Sequence, residues 1–123
     1  MKQFNRDWGR TGELLAEKFL REKGYRILER NFLTKFGEID LICAKDELLI
    51  FVEVKLKKGE DFGSPEEMIS PQKIKQVQRI AQLFLLKRPE IAAKFESFRI
   101  DAICIVLGQD NQVLRLNHYE SLV

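Results

Sequence analysis

The chain is poor in the residues that small proteins use for cross-links and metal cages. Its 123 residues include two cysteines, one histidine, three prolines and one tryptophan. A secreted disulfide framework needs a denser set of cysteines, and a zinc site needs paired ligands at short spacing. Cys43 and Cys104 each lie inside an apolar, strand-like run and read as buried free thiols. The lone His118 has no second ligand at metal spacing and reads as structural. No apolar run approaches the roughly 18 residues of a membrane span. The opening MKQFNRDWGR carries charge without the apolar segment of a secretory signal. A soluble, cytoplasmic protein with no membrane partner is expected. Net charge is only +2, so the overall balance does not announce a nucleic-acid binder; local clustering matters more. Lys55, Lys57 and Lys58 end one strand, and Lys73, Lys75, Arg79, Lys87 and Arg88 follow one helix. On charge alone that helix reads as a solvated face.

What is present is an ordinary globular mixture, 45% hydrophobic and 33% charged, of a length that suits one domain over residues 1–123. A first helix is predicted from about Thr11 to Lys23, with Leu15, Ala16, Phe19 and Leu20 as its apolar stripe and Gly24 just past its end. A strand over Tyr25–Arg30 and a turn region around Asn31–Gly37 follow. GEIDLICA and ELLIFVEVKL, separated by Lys45 and Asp46, read as a hairpin. The polar Lys57–Met68 segment reads as a mobile loop. A second helix takes Ser70 as N-cap and Pro71 as its first residue, and stops before Pro89. FRIDAICIVL is a buried strand, GQDN a turn, and VLRLNHY a shorter last strand. The order α-β-β-β-α-β-β predicts a mixed sheet with a helix before and after the central strands.

The run LLIFVEVKL raises the functional question, because Glu53 and Lys55 interrupt its apolar pattern. Side chains two apart on a strand share a face, so both project one way while Val52 and Val54 pack on the other. If Asp46 and Glu47 are the two loop residues of the hairpin, Lys45 pairs with Leu48. Counting on in register sets Asp40 opposite Glu53, with Cβ atoms about 4.5–5.5 Å apart. Carboxylates that close repel unless a cation lies between them or one is protonated. An all-oxygen donor set suits magnesium or manganese rather than zinc. Glu13 falls on the inward side of its helix, where it is either a third ligand or an acid favoured at a helix start. The competing reading is a buried Glu–Lys pair or a strand with one wet face. An acidic-x-Lys triplet alone is weak, since on the order of two are expected by chance.

Taken together, Gly9, Gly12 and Glu13, then Arg30-Asn31, GEIDLI (Gly37–Ile42), FVEVK (Phe51–Lys55), Lys73, Arg99 and Asp101 resemble the YraN family over nearly the full chain. The resemblance implies an α/β, restriction-endonuclease-like core, a mixed central β-sheet flanked by helices. It also places the chain in the PD-(D/E)xK nuclease superfamily, similar in kind to archaeal Holliday-junction resolvases. Under that resemblance Asp40 and Glu53 are the metal ligands, Lys55 the catalytic lysine and Glu13 the helix-one glutamate, with Mg2+ or Mn2+ as cofactor. Lys57, Lys58 and Lys73 are expected at phosphates. Where many relatives carry Thr-Arg after the lysine, this chain has Leu56-Lys57, which keeps a cation without the forked guanidinium. Arg30 and Asn31 match without a firm role, a turn-forming Asn being the plain reading. Glu38, which shares Asp40's face, reads as a cap at the hairpin's wet end, with a supporting acid as the alternative.

The expectation is therefore a metal-dependent endonuclease acting on DNA, branched DNA included, in repair, recombination or processing, with a homodimer or a protein partner in view. The alternatives are a catalytically silent nucleic-acid-binding module or an adaptor with the same fold.

Overall fold

The structure, a computed structural model, describes residues 2–123, with side chains described from Trp8 onward. Helix α1 spans Lys2–Glu22; strands β1 (Arg26–Thr34), β2 (Gly37–Lys45) and β3 (Leu48–Lys58) follow. A 3-10 turn over Pro65–Met68 leads to α2 (Pro71–Lys87) and the short α3 (Pro89–Ala92), before β4 (Ser97–Leu107) and β5 (Val113–Tyr119). The five strands form one sheet in sequential order. All neighbours are antiparallel except β3 and β4. Those two run parallel because the α2 crossover between them returns the chain to its starting end. The fold is α/β with a mixed sheet flanked by helices, as the element order predicts.

Each face of the sheet buries one helix stripe. Ala16 and Leu20 of α1 pack with Leu41, Cys43, Ile50, Val52, Ile103 and Ile105. Val77, Ile80, Ala81 and Phe84 of α2 pack with Ile39, Ile42, Leu49 and Phe51 on the other face. Two-sided cover explains why β3 and β4 read as continuous apolar runs instead of alternating ones. Cys43 and Cys104 are buried free thiols, and burial pushes both up to about 12. No helix among the described residues is long and apolar enough to cross a membrane.

Helix ends follow the predicted chemistry. Gly24, at φ 90°, closes α1 with paired bonds from its own N–H to Arg21 and from the Tyr25 N–H to Leu20. The Ser70 hydroxyl accepts the Lys73 N–H at 3.1 Å. The start of α1 differs from expectation: it begins at Lys2, not Thr11, because Gly9 and Gly12 are helical rather than helix breakers. Gly12 has a packing reason. A Cβ there would lie 3.1 Å from Leu56 Cβ, so the bare backbone lets α1 close on β3. The region 31–37 is also not a loop: β1 runs on to Thr34, and only Lys35 and Phe36 turn the chain. Thr34 fixes that turn by accepting the Phe36 N–H and donating to the Gly37 carbonyl. The predicted mobile loop shrinks to residues 59–64, since β3 takes Lys57 and Lys58 and the 3-10 turn takes Pro65–Met68.

Because Gly12 seats the helix that carries Glu13, Gly12→Val is expected to lower unfolding free energy by about 1–3 kcal/mol through overpacking against Leu56, measured by urea denaturation. An unchanged midpoint would mean that α1 and β3 are not in this close contact.

Candidate metal centre

The β2–β3 hairpin turns at Asp46 and Glu47, and its ladder runs in the expected register from Lys45↔Leu48 to Leu41↔Val52. It stops there, one step short of Asp40 and Glu53. The backbone reason lies in a side chain: Asp40 Oδ2 accepts the Val54 N–H at 2.7 Å, taking a donor that a continued ladder would use. The strands part at this point, and a cleft of about 690 Å³ opens beside them, lined by Glu13, Asp40, Lys55, Lys57, Lys58 and Met68, among others.

Three carboxylates, Glu13, Glu38 and Asp40, converge on the parting, with Glu53 buried next to Asp40 but outside that set and outside the cleft lining. Asp40 is 8% exposed and Glu53 3%, and the two side chains lie within hydrogen-bonding reach. Oxygens of Glu13, Glu38 and Asp40 lie within 4.8 Å of one another. Burial first, and then the neighbouring Glu53 carboxylate, push the Asp40 carboxyl far above the usual range. Glu38 is raised as well, by burial and then by the charge of Glu13 and Glu53. The structure places Glu38 among the clustered acids, as the supporting acid that sequence offered second to a cap at the wet end of the hairpin. Its spacing of two from Asp40 on one strand was the available signal.

Glu53 faces α2. Its Oε2 lies 2.8 Å from Lys73 Nζ and 3.8 Å from Lys55 Nζ, yet neither ammonium is aligned as a hydrogen bond to that buried oxygen. Lys73, expected at phosphates, is instead the counter-ion of Glu53 and does not line the cleft. Lys55 does line it, as do Lys57 and Lys58. Lys57 Nζ reaches the Phe62 carbonyl at 3.4 Å, and Lys58 stands 5.1 Å over the Trp8 ring.

Glu13 sits mid-helix, since α1 begins at Lys2. Attraction to a helix N-terminus, which fades within the first turn, therefore does not explain it. Asn31 does. Its amide donates to Glu13 Oε1 at 3.0 Å, and it stands between the pairs Arg30↔Leu41 and Phe32↔Ile39, across from Asp40. It does so at φ 51° inside a strand, a conformation that Asn tolerates better than most residues and that favours a locally bonded side chain. Arg30 beside it clamps Glu17 with two bonds of 2.7 Å. Sequence gave these two residues no role. They tie β1 to α1 and hold Glu13 over the cleft.

Arg99 and Asp101 belong elsewhere. Asp101 is fully buried and is held by two Arg99 bonds of 2.9 Å, by His118 Nε2 at 2.8 Å and by the Ser121 N–H at 3.0 Å. This network binds β5 and the C-terminal residues to β4; it also brings ligand atoms of Asp101, His118 and Glu120 within 4.8 Å of one another, neighbours that the spacing along the chain does not show.

The model of the uncharacterised protein family UPF0102 matches residues 12–105. This chain belongs to that family. It is 43% identical over 114 residues to a UPF0102 protein of Syntrophomonas wolfei, covering 93% of this chain and 95% of the relative. A UPF0102 protein of Dictyoglomus turgidum is 37% identical over 110 residues, with 89% and 91% covered. One of Vibrio parahaemolyticus is 41% identical over 100 residues, with 81% of each covered. The matched span contains Glu13, Glu38, Asp40, Glu53, Lys55 and Lys73.

The raised Asp40 carboxyl has a stability consequence. The folded protein holds that proton more tightly than the unfolded chain, so Asp40's contribution is favourable below the ordinary value of 3.8 and is lost as pH climbs toward the folded value. Asp40→Asn keeps an oxygen for the Val54 N–H and offers Glu53 a donor. In chelator the variant is expected to be more stable than the parent by about 1–3 kcal/mol near pH 8, with the gap narrowing toward about pH 5. Urea midpoints across that range check it; a variant weaker at every pH contradicts it.

Proposed function

We propose that this UPF0102 protein is a metal-dependent endonuclease of restriction-endonuclease-like fold that cleaves phosphodiester bonds in DNA. The observation that carries the reading is the acidic cluster at the parting: oxygens of Glu13, Glu38 and Asp40 lie within 4.8 Å of one another, next to a buried Glu53 whose near cations are Lys73 at 2.8 Å and Lys55 at 3.8 Å. Carboxylates gathered this closely repel one another unless a cation lies among them or one is protonated. The donor set is all oxygen, which fits Mg2+ or Mn2+ and disfavours zinc.

Asp40 and Glu53 would hold the ion, with Glu13 and Glu38 completing the acidic wall. When bound, such an ion polarises a phosphodiester oxygen and lowers the pKa of a coordinated water. Lys55, on the cleft wall, orients the attacking water or neutralises charge growing on the phosphate. Lys57 and Lys58 supply cations along the same wall for flanking phosphates. Lys73 neutralises Glu53 in the structure; a divalent ion held by Glu53 would compete with that ammonium for the carboxylate, and the lysine would be expected to move aside.

Two measurements test this. Purified protein with Mg2+ or Mn2+ is expected to cut forked, four-way or single-stranded DNA. Glu53→Gln and Lys55→Ala each should lower the rate by at least about 100-fold. Absence of ion-dependent cleavage across all three substrates in the unsubstituted protein, with binding retained, would leave a catalytically silent binding module. In chelator, Lys73→Met is expected to lose about 2–4 kcal/mol, since it strands a buried carboxylate. Calorimetry should then show Mg2+ binding Lys73→Met more tightly than the parent. Weaker binding would make Lys73 a support of the ion rather than its stand-in.

A further inference from the structure

One aromatic ring is placed against the usual rule. Phe62 is 95% exposed, the most exposed large apolar residue described, and its ring joins neither hydrophobic cluster. The segment that carries it is nevertheless built. Gly59 and Gly63, at φ 71° and 107°, bracket the tip, and N–H bonds from Gly59 to the Leu107 carbonyl and from Gly63 to the Glu60 carbonyl set its curve. Both shoulders are fastened to β5. Arg115 binds Glu60 at 3.1 Å and Glu66 at 2.6 Å, and the Tyr119 hydroxyl donates to Glu66 at 2.8 Å. The stem is held at the cleft, where Lys57 Nζ donates to the Phe62 carbonyl. Fastened on three sides and bare at the ring, the segment presents Phe62 next to Lys57, a residue that lines the cleft.

A side chain presented this way beside lysines matches how proteins hold single-stranded nucleic acid, with cations on the backbone and an aromatic face under an exposed base. Bases inside a continuous duplex are already stacked and offer no free face. We propose that Phe62 is a base-stacking residue that takes an unstacked nucleobase of single-stranded or branched DNA, and so directs the cleft toward interrupted rather than continuous duplex. This rests on the nucleic-acid reading of the cleft, and names the feature of the substrate that the cleft recognises.

The test uses the full chain in chelator, so that binding is read without cleavage. A fork carrying 2-aminopurine in its single-stranded arm is compared with a blunt duplex of equal length. Phe62→Ala, a surface change that leaves both cores intact, should weaken binding to the fork by about 5- to 100-fold and leave the blunt duplex unchanged. Phe62→Trp should retain affinity, and both it and the parent should alter 2-aminopurine fluorescence where Phe62→Ala does not. If Phe62→Ala binds the fork as tightly as the parent, and parent binding falls steeply with salt, the stacking proposal fails while the cleft remains a nucleic-acid site. If the parent binds neither DNA, both readings fall together. A variant that changes only self-association in sedimentation assigns the ring to a protein contact and overturns the proposal.

Discussion

The structure turns on one bond, from the Val54 N–H to the Asp40 carboxylate. By taking a backbone donor, Asp40 ends the β2–β3 ladder at Leu41↔Val52 and parts two strands that are paired from Lys45↔Leu48 up to that point. Everything of chemical interest gathers at that parting. Glu53 is left on the α2 side with its lysine, Glu13 descends from α1, and the cleft opens along the last residues of β3. A continued ladder would have closed the gap and given Asp40 an ordinary place on a sheet face.

The local rules of folding are broken here and kept elsewhere. Both helix ends that flank the core carry the caps their sequences specify, and the sheet faces are packed with aliphatic and aromatic side chains. The exceptions are the acids at the parting, Asn31 at positive φ within a strand, and the buried oxygen of Glu53. Proteins concentrate such conflicts where function requires them, at a cost in stability that the rest of the fold absorbs. The Asp101 network is the instructive contrast. It buries a carboxylate just as deeply, but supplies it with Arg99, His118 and a backbone N–H, and Asp101 is accordingly held below the usual range. Burial alone does not mark a candidate site; burial without sufficient donors does.

Much of this was legible in the sequence because it depends on period and parity. The two-residue Asp46-Glu47 turn set the register of β2 against β3 as far as Leu41↔Val52; the direct Asp40–Glu53 pair to which the count extends is not formed, because Asp40 takes the Val54 N–H instead. Ser70-Pro71 fixed the start of α2. Two things escaped. The helical glycines hid the true start of α1, because a glycine's packing role depends on what approaches it, here Leu56. The partners of Glu13 and Glu53 escaped because Asn31 and Lys73 reach them across the fold, from β1 and α2, and no spacing along the chain encodes such contacts.

The central claim is that the parted strands form a seat for a divalent ion. Crystals of the unsubstituted protein soaked in Mn2+ and measured for anomalous scattering test it without any assumption about substrate. The account predicts a peak between the Asp40 and Glu53 carboxylates, with Lys73 Nζ moved away from Glu53. Crystals that take up no manganese there while Lys73 stays on Glu53 would contradict it.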